Sequence, residues 1–242
     1  GHGALREPND ISSYSALACI AVQSNQNDQH GGQSIVNLDY ALANGVRKTF
    51  VKNYIYNFAR DLEIVFDYEN SDELVNEVRN KLIESGFKLS ISENKDYIDE
   101  ELKFYTQKGF DSEKIQKIQK FSMKNALKKT DRATYQAMEA FIHNLNTMHS
   151  RAGAQTPFSS VNYGMDTSKE GRMVIKNILL ALEKGLGNSE TPIFPIHIFR
   201  VKEGVNYNKN DENYDLFRLA CKVSAKRLFP NFSFQDAPFN LK

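Results

Sequence analysis

The 242 residues contain no tryptophan, six prolines, two cysteines and no long apolar run. Each shortage excludes something. Without about 18 consecutive apolar residues there is no membrane-spanning helix. The start GHGALREPND has neither a cationic flank nor an apolar core, so it is not a secretory signal. Cys19 and Cys221 form no CxxC and no metal-ligand spacing, which argues against a zinc or iron–sulfur site, and both sit in apolar helical patterns that predict buried thiols. A net charge of +1 supplies no long-range attraction for nucleic acid. The expectation is a soluble cytoplasmic protein with no metal, no membrane partner and no nucleic acid. The first methionine is Met123, so a cut or processed piece of a longer chain is expected.

What is present is an ordinary globular composition, 40% hydrophobic and 25% charged, enough to build a core as one domain or two. Ser12 or Ser13 is placed to cap a helix whose apolar positions Ala16, Leu17, Ile20 and Ala21 recur at helical spacing to about Asn25. NQNDQHGGQS then reads as a glycine loop, and residues 36–66 as helical with a break near Asn44 and Gly45. Leu74, Val78, Leu82 and Ile83 make an apolar stripe after Ser71, stopped by Gly86. Residues 96–106 add a short helix, and 111–148 a long one broken near Thr130 and Asp131.

Beyond that the texture changes. PFSSVNYG and TPIFPIHIFRV read as strands, the second apolar enough to predict cover on both faces. Between them Thr167 and Glu170 form a capping box for a helix closed by Gly185 and Gly187, and residues 214–228 form another, ended by Pro230. Strand–helix–strand–helix order predicts parallel pairing. The chain is thus read as α/β, with a mainly helical part at 1–149 and an α/β part at 150–242.

The junction NTMHSRAGAQTPFSSVNYG is the leading site candidate. Ser150, Gly153 and Ala154 allow close approach to backbone amides, while Gln155, Thr156, Ser159 and Ser160 offer neutral donors and acceptors suited to a polyol such as a sugar. This stretch, together with TPIFPIHIF, NYDLFRLACKVSAKRLFPN, GHGALREP, SNQNDQHGGQS and DAPFNLK, closely resembles the anaerobic ribonucleoside-triphosphate reductases, the glycyl-radical class. The resemblance runs over essentially the whole chain, with residues 57–122 the least distinctive.

That resemblance implies part of a ten-stranded α/β barrel in the large catalytic subunit, reducing ribonucleoside triphosphates to deoxyribonucleotides by radical chemistry. It implies a glycyl radical in the parent enzyme, formate or a thiol protein as reductant, an iron–sulfur radical-SAM activating enzyme, a homodimer and nucleoside triphosphate effectors. No RVxGY motif carrying the radical glycine and no GCRT-like cysteine motif occurs in these residues, so no catalytic residue is assigned and the piece alone is expected to be inactive. A partial barrel also predicts an uncovered sheet, hence self-association.

Three segments are candidates for substrate contact because unpaired amides and cations favour phosphates. They are Ser150, Gly153, Gln155, Thr156, Pro157 and Ser159; the glycine loop His30, Gly31 and Gly32; and Ser224, Lys226 and Arg227 late in a helix, where capping is the simpler role. By chain order, Glu7, Asn9 and Lys52 are the candidates for the deoxynucleotide effector site. The lysine stripe Lys114, Lys117, Lys120, Lys124 and Lys128, opposite Ile115, Ile118 and Phe121, reads as a solvated helix face, since no aromatic side chains interleave to stack bases. His143 and His149 are too far apart on one helix to pair on a metal. A stand-alone nucleotide-binding regulatory module is the competing reading.

Overall fold

The computed structural model describes residues 6–28, 31–147 and 158–240. It is mixed α/β, mostly helical, with one small parallel sheet. In chain order the elements are α1 (Ile11–Asp28), β1 (Gln33–Ile35), α2 (Leu38–Phe66), α3 (Ser71–Glu84), α4 (Lys95–Gln107), α5 (Ser112–Thr147), β2 (Ser159–Tyr163), α6 (Lys169–Lys184), β3 (Ile196–Val201), α7 (Tyr214–Arg227) and β4 (Asn231–Phe234). The chain divides into two compact units, Gly1–Val46 with Ala133–Lys242, and Arg47–Arg132.

The first unit carries the sheet, in the order β1-β2-β3-β4 with every neighbouring pair parallel. The parallel pairing read from the order of elements is what forms. β2 and β3 are joined through α6, and β3 and β4 through α7. Strand residues alternate in burial, BiBiB along β2 and iBiBiB along β3. Val161, Tyr163, His197, Phe199 and Val201 are buried on one face, and Phe217 of α7 packs there against Phe199 and Phe232. The register puts Ser34, Ser160, Asn162, Ile196, Ile198 and Arg200 on the other face, where the side chains stay half-buried or exposed. Cover on both faces was the expectation from the apolar run; among the described residues only one face is closed. Ile193 and Phe194 are not part of β3, whose ladder starts at Ile196, after Pro195.

Several element ends differ from their sequence reading for local reasons. Asp10, not Ser12 or Ser13, caps α1, its Oδ1 accepting from the Ser13 amide at 2.8 Å. For α6 the cap is Ser168, one residue after Thr167, accepting from the Gly171 amide at 3.1 Å. α2 runs unbroken through Asn44 and Gly45. The glycine is there for packing: a Cβ would sit 3.0 Å from Tyr14 and 3.1 Å from the Ile11 Cα, so its absence lets α1 approach. α5 likewise passes straight through Thr130 and Asp131, with the Thr130 side chain buried. Gln33 and Ser34 belong to the stretch whose sequence suggests a glycine loop; with Ile35 they form a strand because β2 pairs with them.

The second unit consists of the later part of α2, α3, α4 and the first part of α5. Its core is aromatic, with Tyr54, Phe58, Tyr105 and Phe110 in successive ring contacts at 5.1–5.9 Å. α3 and α4 end alike: Gly86 (φ +88°) and Gly109 (φ +96°) take the left-handed conformation, and the amides of Phe87 and Phe110 reach back to Leu82 and Tyr105. Gly86 therefore stops α3 as its sequence suggests.

Candidate functional site

Of the sequence-nominated residues, His30, Ser150, Gly153, Gln155, Thr156 and Pro157, with His149, lie outside the described residues. What is described brings the flanks of the two loops together. The Gln33 amide donates to the Phe158 carbonyl at 2.9 Å, and Gly32 faces the Phe158 ring so closely that a Cβ would be 2.7 Å away. Gly31 (φ +130°) and Gly32 thus stand beside the start of β2. Ser159 is 1% exposed on the covered face and its Oγ has no hydrogen-bond partner. The side chain that the register turns to the open face is that of Ser160.

Arg227 is buried and caps another helix. Its Nε donates to the Glu183 carbonyl at 2.9 Å, Nη2 to Lys184 at 3.0 Å and Nη1 to Ser189 at 2.6 Å, tying α7 to the end of α6. Ser224 lies one turn earlier on α7, and Lys226 is exposed. Glu7 accepts from the Tyr14 hydroxyl at 3.2 Å, Asn9 is exposed beside it in sequence, and Lys52 is exposed on α2 within the second unit.

The densest polar construction lies at the C-terminal ends of the strands, the edge where open parallel sheets build sites. Asp39, fully buried at the start of α2, accepts through Oδ2 from the amides of Gly164, Met165 and Asp166 at 3.0–3.1 Å, and through Oδ1 from Tyr40. Burial pushes its carboxyl pKa up, opposed by those amides. Asn213 donates to the carbonyls of Gly164 and Asp166, and Asn206 to those of Gly164 and Arg200. Arg172 pairs with Asp215 at 2.7 Å, holding the start of α6 to the start of α7. These contacts fix the turn after β2, where Gly164 sits at φ +121°.

On the open face Arg200 donates to Asn37 Oδ1 and to Gln235 Oε1, each at 2.8 Å. Asn162 Oδ1, on β2 opposite Ile198 and two residues down from Arg200, accepts no hydrogen bond. On the covered face the Tyr163 hydroxyl and His197 Nδ1 are 2.8 Å apart, while His197 Nε2 has no partner. Burial depresses the His197 pKa to about 3, so the ring is neutral. None of these residues was nominated from the sequence; strand parity around Arg200 was the one signal available.

The thiols divide. Cys19 is buried, its pKa pushed up to about 12 by desolvation, whereas Cys221 is exposed, contrary to the burial its apolar neighbours suggest, because it falls on the outer side of α7. Phe121 is likewise on the surface at 61% exposure instead of opposite the lysines in the core. Among the described residues no three His, Cys, Asp or Glu side chains gather as metal ligands, and no helix is long and apolar enough to cross a membrane.

One face of the sheet is thus closed by helix, and the other, carrying Ser160, Asn162 and Arg200 together with Ile196 and Ile198, is left half-buried. The family model described as anaerobic ribonucleoside-triphosphate reductase matches residues 1–242. The chain belongs to that family. Anaerobic ribonucleoside-triphosphate reductase of Enterobacteria phage T4 is 37% identical over 139 residues, 55% of this chain and 23% of the relative. The proteins of the same name from Haemophilus influenzae and Escherichia coli are 37% and 36% identical over 102 and 104 residues, 42% and 43% of this chain and 14% of each relative. The matched part is therefore under a quarter of the length of these curated relatives.

Proposed function

We propose that this chain is a core segment of an anaerobic ribonucleoside-triphosphate reductase, forming one wall of the α/β barrel in which ribonucleoside triphosphates are reduced. The observation that carries the reading is the open face of the parallel sheet. Parallel sheets are normally covered on both sides, and here a face bearing Ser160, Asn162 and Arg200 is left half-buried with an unpartnered acceptor. Further strands would close this sheet into the ten-stranded barrel, making that face its interior. The residues suit hydroxyl and phosphate recognition better than proton transfer.

In this reading the radical glycine and the hydrogen-abstracting thiol come from other polypeptide of the whole enzyme, with an iron–sulfur activating enzyme installing the radical and formate or a thiol protein supplying electrons. The nominated residues Gly31 and Gly32 border the substrate from the N-terminal edge of the sheet, and Ser150, Gly153, Gln155, Thr156 and Pro157 remain candidates for contact with it. Glu7 and Asn9, and separately Lys52, are the candidates for contact with a deoxynucleotide effector in a homodimer, where its binding biases the base accepted. The test is anaerobic assay of the whole parent protein after radical installation, verified by its spin signal. Deoxyribonucleotide formation is expected; a verified radical with no ribonucleotide reduction rejects the reading.

A further inference from the structure

Arg200 is a cation without a counter-ion, and its surroundings are built to hold it that way. It leaves the sheet on the open face, between Phe199 and Val201, which point into the core. Two neutral amides hold it: Asn37 just after β1 and Gln235 just after β4, so three strands converge on one guanidinium. Gln235 is itself fixed, its Nε2 donating to the Ser233 carbonyl at 3.2 Å and to Ser233 Oγ at 3.0 Å. Among the described residues no carboxylate pairs with Arg200, and two of its five N–H donors are used, leaving three. The positions flanking it across the sheet, Gly164 and Ser233, are both small, and Tyr40 lies near enough to feel its charge while its hydroxyl donates to the Met165 carbonyl.

Two other arginines of this unit are neutralised or spent, whereas Arg6 and Arg218 are exposed surface side chains. Arg172 has Asp215, and Arg227 donates to three backbone carbonyls. A half-buried guanidinium held by two side-chain amides, with donors left over, is pre-organised for an oxyanion. Asn162 and Ser160 lie two and four residues further down the same face by register, roughly 7 Å and 13 Å along the strands. That spacing accommodates a sugar beside a phosphate.

We propose that Arg200, held by Asn37 and Gln235, is an anion-binding residue that takes a phosphate of the nucleotide on the open face of the sheet. The site lies at the C-terminal edge, away from the loops nominated from sequence. The inference rests on the nucleotide reading above for its ligand, and only on the geometry for its charge.

The experiment titrates the whole parent protein, its effector sites first saturated with a deoxynucleotide, by calorimetry at low salt, with three probes: inorganic pyrophosphate, a ribonucleoside triphosphate and the unphosphorylated nucleoside. The expected result is that pyrophosphate and triphosphate bind, that Arg200→Gln weakens both about tenfold or more, and that Arg200→Lys recovers part of the loss. Nucleoside affinity should change less than about twofold, given that no charge pairs with it. An amide spectrum unchanged outside residues near 37, 200 and 235 confirms that Arg200→Gln is folded. Triphosphate binding unaffected by Arg200→Gln overturns the inference and leaves the nucleotide reading standing. Pyrophosphate binding through Arg200 with no preference for the nucleotide supports the anion site and counts against that reading. No binding of either phosphorylated probe to the wild-type protein overturns the inference.

Discussion

Each of the two compact units buries an ionisable side chain that desolvation keeps from charging, with opposite consequences. In the sheet-bearing unit it is His197, a base kept neutral beside Tyr163. In the helical unit it is Glu101, 1% exposed, accepting from the Tyr54 hydroxyl at 2.6 Å and from Gln119 at 3.0 Å, with burial raising its pKa to about 7. Desolvation disfavours the charged form in both places, so it lowers the base and raises the acid. The sheet unit should weaken in acid and the helical unit in mild alkali.

The largest expected effect is on the acid side. His197 falls from 6.5 in the unfolded chain to about 3 in the fold, so its contribution is present above pH 6.5 and lost as pH falls toward 3. The full difference is roughly 5 kcal/mol. Urea unfolding between pH 7 and 4, followed by hydrogen exchange in Val161 to Val201, should show this loss, and His197→Gln should remove it. Next comes Asp39→Ala, which strands four backbone donors and should cost roughly 4 kcal/mol in the sheet unit. If exchange in residues 47–132 slows or quickens equally, the units do not respond separately and the comparison breaks.

On the other side, Glu101 rises from 4.5 to about 7, so the neutral acid stabilises the fold below pH 4.5 and that stability is lost as pH rises through 7. Glu101→Gln should match wild type near pH 4.5 and be more stable by roughly 3 kcal/mol at pH 8. A helical unit equally stable at pH 5 and 8 in both proteins would refute it. The smallest effect is Gly86→Ala at the end of α3, which forces a Cβ into φ +88° and should cost about 1 kcal/mol in denaturant titration without altering the acid arm of the sheet unit.

The helices were legible because their signals are local. The stripe after Ser71, the stop at Gly86 and the close of α6 at Gly185 need only neighbours within one turn. Errors came where a neighbour distant in sequence decided. Gly45 looks like a helix break and is a packing notch for Tyr14; Gln33 and Ser34 look like loop and, with Ile35, become a strand by pairing with β2. The candidate site was less legible still. Small and polar residues drew attention to 150–160, whereas Asn37, Arg200 and Gln235 are separated by 163 and 35 residues and carry no shared motif.

The sequence alone determined the family, the helical stretches and the alternation of strands with helices, because periodicity, capping residues and long motifs are written along the chain. Only the tertiary structure decided which strand face is closed, which buried groups lose their charge and where a guanidinium is left without a counter-ion. Burial and pairing are properties of what surrounds a side chain. Those surroundings assemble from residues that the chain itself keeps far apart.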